Sequence, residues 1–277
     1  MLIDGKQIAE ELRVKLLSAA HSLTRQPSLG IVVVGENPVI ESFVRIKKKY
    51  GASIGVNIIE VRFSEKITTE ELIGAVRDAS LRSDIDGLII QLPLPAGINT
   101  QAVLDVVPTA KDVDMLAASS TTAFARGEAK IFPPVAAAVQ EILERYNINV
   151  EGMEVLVLGH GRLVGIPVSL LLRHNHAHVT VIDKPVRDLA EHVHDSAIVI
   201  CGVGMPGLIT KEMLGPNTIL IDAGTSESAG KVVGDVDPKC AEVARLMTPV
   251  PGGVGPIAVA MLFRNLILLA REQNEKG

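Results

Sequence analysis

The sequence contains no tryptophan, 3% aromatic residues and two cysteines in 277 residues. With so few aromatics the core must be aliphatic, and no Lys/Arg cluster interleaved with aromatics is present, which argues against a nucleic-acid partner. Cys201 and Cys240 match no metal-binding spacing, so no metal site is expected. Free thiols of this kind fit a cytoplasmic protein. Met1-Leu-Ile-Asp-Gly-Lys6 does not read as a signal peptide, and no apolar run of about 18 residues suggests a membrane span. The formal net charge is only −5. What is abundant is aliphatic: 47% of residues are hydrophobic and the mean hydropathy is +0.33. Val/Ile/Leu-rich runs of this kind suit parallel strands covered on both faces, and the length favours two domains or one large one.

One stretch organises the chain. Val155 to Leu158 runs into Gly159-His-Gly161-Arg-Leu-Val-Gly165-Ile-Pro167, and a buried helix is expected to begin after Pro167. A second apolar run, His178 to Ile182, ends in Asp183. Strand, glycine turn, helix and strand with an acid at its tip are the layout of a dinucleotide-binding half-domain. Gly159 permits a sharp turn, Gly161 lets a pyrophosphate approach the backbone, and Gly165 lets the helix pack closely. The helix N-terminus, with Gly159, His160, Gly161, Arg162 and Gly165 around it, offers N–H groups to phosphates. The glycine spacing is one residue longer than the common form.

The rest of the chain alternates. Helical spacing over residues 7–23 is followed by a strand from Leu29 to Val34, a helix from Val39 to Ile54, a strand from Val56 to Val61 and a helix capped at Thr68-Thr-Glu-Glu71. Asp86 to Pro95 reads as a strand ending in a proline-locked loop. This β-α-β-α-β series is a small α/β domain of its own. A long helix after Pro134 is expected to link it to a second domain. There, strands from Ala197 to Cys201 and Thr218 to Asp222 run into loops at Gly204 and at Thr225. Thr248 to Pro256 is a stiff loop before a last helix over about 257–273. The fold class is α/β: a catalytic domain from residues 1–138 and 257–277, and a Rossmann-like domain from 139–256.

Ligands bind at the carboxyl ends of such strands, and Lys47, Gln91 and Asp114 lie near such positions in the first domain. A lysine serves as acid or base when desolvation lowers its pKa. On spacing alone, Lys47 reads as a solvated helix face beside Lys48 and Lys49, Gln91 as a buried amide, and Asp112 and Asp114 as turn residues.

The chain resembles the bifunctional methylenetetrahydrofolate dehydrogenase/methenyltetrahydrofolate cyclohydrolase family along its whole length. The segments that carry the resemblance are Asp4-Gly-Lys6, Val34-Gly-x-x-Pro38, Lys47-x-Lys49 with Gly55, Gln91-Leu-Pro-Leu-Pro95, Pro108-x-x-Lys-Asp-Val-Asp114, Phe132-Pro133, Gly159 to Pro167, Gly234-Asp-Val236 and Thr248 to Pro256. The resemblance implies oxidation of 5,10-methylenetetrahydrofolate with a nicotinamide cofactor, then hydrolysis of the methenyl cation to 10-formyltetrahydrofolate. It also implies a homodimer. It makes Lys47 the catalytic lysine, Gln91 its support and Asp114 the holder of the pterin. It places Phe43, Leu92, Pro251, Gly252 and Gly255 around the folate.

The sequence departs from the family pattern at several positions. Phe43 stands where the family has tyrosine, and Ile40 replaces a serine. Met115 replaces the glycine after Lys-Asp-Val-Asp, and Ala258 a threonine. Pro133-Pro-Val-Ala-Ala-Ala138 lacks the usual Cys, Thr and Gly. Each change removes a polar group or flexibility, so hydrolysis is the activity most exposed to them. A dehydrogenase without hydrolase, or a non-catalytic folate- or nucleotide-binding paralogue, is therefore an alternative. The family default is NADP. Here the usual His-Ser after the second strand is Asp183-Lys184, and Asp183 suits a free ribose 2′-OH and repels a 2′-phosphate. That local chemistry favours NAD, with His160, Arg162 and Lys184 as cations able to offset the repulsion.

Overall fold

The computed structural model describes residues 1–228 and 231–276. Two compact units emerge, Met1–Ala9 with Val135–Ala258 and Glu10–Pro134 with Val259–Gly277; Gly277 itself lies outside the described residues. Both are α/β, as the alternation of apolar runs predicts.

The first unit in chain order carries α1 (Gly5–His21, from Glu10 onward), β1 (Ser28–Val34), α2 (Pro38–Ser53), β2 (Asn57–Phe63), α3 (Thr69–Leu81), β3 (Gly87–Ile90), α4 (Thr100–Leu104) and α5 (Ala118–Ala125). Its sheet is parallel, in the order β2-β1-β3. The central strand is buried at all seven positions, which is why it reads as an apolar run from Leu29 to Val34. Local chemistry starts the helices. Asn37 accepts from the Val39 and Ile40 amides ahead of α2, with Pro38 opening the helix. Thr68 and Glu71 form a reciprocal capping box at α3. Val32, Val34, Leu72, Val76, Leu88 and Ile90 then close one core face, each large side chain contributing about 2 kcal/mol by burial.

The second unit holds α6 (Pro134–Arg145), β4 (Glu154–Leu158), α7 (Gly165–His174), β5 (His178–Ile182), α8 (Leu189–Asp195), β6 (Ile198–Cys201), β7 (Ile219–Asp222), the hairpin β8 (Ser226–Ser228) and β9 (Lys231–Val233), and β10 (Leu246–Met247). Five parallel strands take the order β10-β7-β6-β4-β5. The chain leaves β4 for β5 on one side and then crosses to β6 on the other, so the order reverses between β4 and β6. That reversal is the topological switch point, where open α/β sheets bind ligands.

Several expectations are corrected. Residues 1–9 group with the five-stranded unit and not with residues 10–138. The reason is backbone pairing: Ile3 N–H donates to Met247 O at 2.8 Å and Met247 N–H to Met1 O at 3.0 Å, extending the sheet beyond β10. Helix α7 begins at Gly165, before Pro167, because proline is accommodated in a first turn. The last helix, α9 (Val254–Lys276), starts earlier than the proline-rich loop suggested. Its stretch Val254–Glu275 is long and apolar enough to cross a membrane by length and composition, contrary to the sequence expectation. With 61% of its most apolar window buried inside the protein, it is a core helix. Helices α5 and α8 and strands β8, β9 and β10 carry too little periodicity to be read from sequence.

Candidate active site

In the three-stranded unit, α2 delivers Lys47 to the carboxyl end of β3. Its Nζ donates to Gln91 Oε1 at 2.9 Å. Gln91 is buried, its N–H donates to Val32 O at 2.9 Å, and its amide nitrogen donates to Leu92 O at 2.9 Å. The second of these bonds fixes which end of the amide faces the lysine. Phe43, one turn earlier on α2, is 40% exposed and places its ring centroid 5.9 Å from Nζ. Leu92 is half-buried against the same core.

Asp114 is carried by a turn clamped to β3. Leu88 N–H donates to Lys111 O at 2.7 Å, and Leu88 pairs with Asp112 as a parallel bridge. The Asp112 carboxylate, 3% exposed, accepts from the Leu116 and Ala117 amides at 3.3 and 2.9 Å. Asn265 of α9 donates to Val113 O and Phe132 O at 2.9 and 2.8 Å. Asp112 is thus the brace of the loop and not a simple turn residue, and Asn265 is a support that sequence reasoning missed. The signal for Asn265 is a polar residue between the apolar runs Ile257–Phe263 and Leu266–Ala270, with only Arg264 beside it. Met115 adopts φ 59°, a left-handed conformation that glycine takes up more readily than a residue with a side chain.

Electrostatics binds Lys47 to Asp114. Burial pushes the Lys47 ammonium below the usual lysine range, and the Asp114 charge pushes it back up. Burial raises the Asp114 carboxyl to about 6, against the pull of Lys47 and with a push from Asp112. The solvated-helix-face reading of Lys47 therefore fails: the side chain is half-buried, paired and displaced in pKa, while Lys48 turns to Glu60.

In the five-stranded unit the glycine turn has the geometry a dinucleotide requires. Gly159 takes φ 100°, and a Cβ on it would lie 2.8 Å from Gly202 O. A Cβ on Gly165 would lie 2.0 Å from Gly159 O, so the helix meets the turn backbone to backbone. A Cβ on Gly161 would meet nothing within 4 Å, leaving the backbone open to a ligand. Val164, the residue capping α7, supplies no side-chain hydrogen bond to the helix start, the condition under which an anion is received. His160, Gly161 and Arg162 are exposed around this turn. Asp183 and Lys184 are exposed just beyond β5, and Gly204 and Thr225 just beyond β6 and β7. All of these lie at the carboxyl ends of one sheet, so the residues present fit a nicotinamide dinucleotide. Pro251, Gly252 and Gly255 belong to this unit too, in the turn that opens α9. Gly252 takes φ 106° there, beside the Lys6 stem.

Family models match nearly the whole chain: the tetrahydrofolate dehydrogenase/cyclohydrolase catalytic domain over residues 3–114 and its NAD(P)-binding domain over residues 133–274. The chain belongs to the tetrahydrofolate dehydrogenase/cyclohydrolase family. It is similar to the bifunctional protein FolD of Sulfurihydrogenibium sp. (strain YO3AOP1), at 37% identity over 96% of each chain. Among solved structures, the bifunctional FolD of Campylobacter jejuni matches with a TM-score of 0.95 and 28% identity, over 99% of each chain. The Trypanosoma brucei FolD, complexed with NADP and an inhibitor, matches with a TM-score of 0.93 and 31% identity, over 99% of this chain and 98% of that one. The five-stranded unit is thereby the NAD(P)-binding part of this family's fold, and the three-stranded unit carries the catalytic part.

Proposed function

We propose that this protein oxidises 5,10-methylenetetrahydrofolate to the 5,10-methenyl cation with NAD(P), and hydrolyses that cation to 10-formyltetrahydrofolate. The observation that carries this reading is the Lys47–Gln91 hydrogen bond with Asp114 within electrostatic reach. Bound nicotinamide supplies the hydride acceptor. The glycine turn at Gly159, Gly161 and Gly165 and the start of α7 would hold its pyrophosphate, with Gly204 and Thr225 on the flanking loops. Hydride transfer is chiefly positioning, and the folate is oriented by Asp114 accepting from the pterin N–H groups.

Hydrolysis needs more from the side chains. Water adds to the cationic carbon between the two ring nitrogens, and neutral Lys47 takes the proton that the water loses. That proton then passes to the departing nitrogen as the carbon–nitrogen bond breaks, while the hydroxyl on the carbon gives up its own proton through Lys47 to solvent, so that the formyl group remains and one proton is released overall. Burial lowers the lysine pKa and so favours the neutral form that this step uses, and the Gln91 carbonyl orients its N–H bonds.

The finer cofactor choice is NAD. Its support is Asp183, an exposed carboxylate at the tip of β5, where a ribose 2′-OH is accepted and a 2′-phosphate repelled. A homodimer is the expected assembly, supported by β5, an edge strand that among the described residues pairs with β4 alone. The β6 run is covered by the chain itself and adds no support. A cytoplasmic location agrees with two buried free thiols.

The decisive experiment supplies purified protein with methylenetetrahydrofolate and either NAD or NADP, following reduced cofactor and methenyl product separately. Cofactor reduction without methenyl accumulation is the expected result. Accumulation of methenyl product would leave a dehydrogenase alone, the reading that Phe43 and Ala258 favour. No reduction of either cofactor would overturn the proposal in favour of a non-catalytic paralogue.

A further inference from the structure

The segment Gly234-Asp-Val236 belongs to neither the folate nor the glycine-turn machinery described above, yet it holds the most fully enclosed carboxylate of the second unit. Asp235 is 0% exposed. Its Oδ2 accepts from the Val203 and Gly204 amides at 2.8 and 3.2 Å, and its Oδ1 accepts from the Met205 amide at 2.7 Å. Three consecutive backbone N–H groups that converge on one point form an anion-binding concavity. Here the anion is the protein's own side chain.

The loop so held is the one that follows β6, and it faces the glycine turn across the switch point. Contact between the two loops is direct, since a Cβ on Gly159 would lie 2.8 Å from Gly202 O and 3.1 Å from Val203 Cγ1. Behind Asp235 stands a second buried acid. Asp222, 2% exposed, accepts from Gly224 N–H and Val236 N–H, each at 2.9 Å. The packing is reciprocal: a Cβ on Gly224 would lie 2.4 Å from the Asp235 carboxylate, and one on Gly234 would lie 2.0 Å from Asp222 Oδ2. Two carboxylates pressed against two glycines therefore tie together the loops after β6 and β7 and the strand-like segment 234–236.

We infer that Asp235 is a positioning residue for the nicotinamide cofactor, acting through the backbone of Val203 to Met205. By consuming the three amides on the inner side, it turns the outer side of the loop, with Gly204 at φ 74° and exposed, toward the switch-point crevice. The role needs a carboxylate in particular. Asparagine offers one acceptor oxygen, and its NH2 group would face at least one of the amide donors, so the loop loses its single geometry while the packing volume is kept.

This inference rests on the five-stranded unit being the cofactor site, and the two are tested apart. Dissociation constants of NAD and NADP are measured by calorimetry for wild type and Asp235→Asn, together with dehydrogenase KM values and cofactor-free hydrolysis of methenyltetrahydrofolate. The expected result is a rise of about tenfold or more in cofactor Kd and KM, with hydrolysis within about twofold of wild type. A wild type that binds neither cofactor would defeat the cofactor site itself, and the inference with it. A wild type that binds, beside an Asp235→Asn protein that binds equally well, would overturn the positioning role alone. Parallel loss of both activities with a lowered melting temperature would also overturn it, by making Asp235 a fold residue. If Asp235→Asn does not fold, Asp235→Glu decides on the same readout, because it keeps the charge and misplaces it by one methylene. Unchanged affinity in that variant, or failure of both to fold, overturns the inference.

Discussion

Two carboxylates, one in each unit, are held in opposite ways. In the five-stranded unit, Asp235 is enclosed and meets three backbone amides. In the three-stranded unit, Asp114 owes its ionisation largely to the Lys47 charge, with burial working against it. The first arrangement is satisfied by local backbone geometry and fixes a shape. The second depends on a neighbouring side-chain charge and titrates near neutral pH, the property an acid–base site needs. The glycine turn extends the contrast, since its function is set by where side chains are absent, whereas the Lys47 site is set by which side chains meet.

The largest expected effect breaks the side-chain site. Lys47→Met keeps the apolar stem and removes the amine, and should reduce hydrolysis by about 10²- to 10⁴-fold. A thermal melt at pH 8 should show a loss of stability on the order of 1–3 kcal/mol, because Asp114 loses its counter-charge and Gln91 Oε1 its donor while the apolar stem is retained. Hydrolysis at more than a tenth of the wild-type rate would remove Lys47 from the chemistry.

The backbone site breaks differently. Gly165→Ala places a Cβ 2.0 Å from Gly159 O, where neither backbone can yield cheaply. It should destabilise the protein by several kcal/mol, on the order of 3–5. Gly161→Ala meets nothing within 4 Å and should leave the melting temperature unchanged. Its cost should appear only as a cofactor KM raised by about tenfold, because the added methyl stands where the pyrophosphate approaches. Equal melting temperatures for the two variants would erase the distinction between a packing glycine and a binding glycine.

That distinction explains what was legible in the sequence. The turn from Gly159 to Gly165 is contiguous, and each glycine reports a local backbone demand, so strand, turn, helix and acid could be read without a fold in hand. The parallel strands are legible for a related reason, as β1 is buried at every position and runs apolar from Leu29 to Val34. Lys47 and Gln91 come from α2 and from the end of β3, and only the packing of that helix on the sheet brings them to 2.9 Å. Their spacing carries no trace of the contact, so resemblance rather than pattern identified them. The roles of Asp112 and Asn265 are more remote still, since both act through backbone groups of a loop whose path the sequence does not specify. Residues 1–9 were misassigned for the same reason: pairing of Ile3 with Met247 joins opposite ends of the chain.

Asp114→Asn sharpens the electrostatic half of the comparison. With the carboxyl raised from 3.8 to about 6, ionisation is harder in the folded state than in the unfolded one. Such a group favours the folded state below pH 3.8 relative to higher pH, and that contribution is lost as pH rises through about 6. Asparagine cannot ionise, so the variant should be more stable than wild type at pH 8, by up to about 3 kcal/mol. The gain should vanish below pH 4. Activity should fall by about 10- to 100-fold, and the inflection near pH 6 in the wild-type rate profile should disappear while the limb set by Lys47 remains. A variant less stable than wild type at pH 8 would show that the carboxylate is better satisfied than its burial implies.

The smallest effect concerns Phe43, where the family carries tyrosine. Its ring lies 5.9 Å from Lys47 Nζ and is 40% exposed, so a phenolic oxygen at the ring tip would find solvent without displacing the core. Phe43→Tyr should therefore leave stability within about 0.5 kcal/mol. If the missing hydroxyl is what limits proton handling, hydrolysis should rise by about five- to tenfold, the worth of one hydrogen bond. Hydride transfer, which asks only that the ring flank the substrate, should change by less than about twofold. An equal rise in both activities would instead trace the effect to folate binding. No rise at all would mean that Lys47, held by Gln91 and charged against Asp114, already completes the proton path without it.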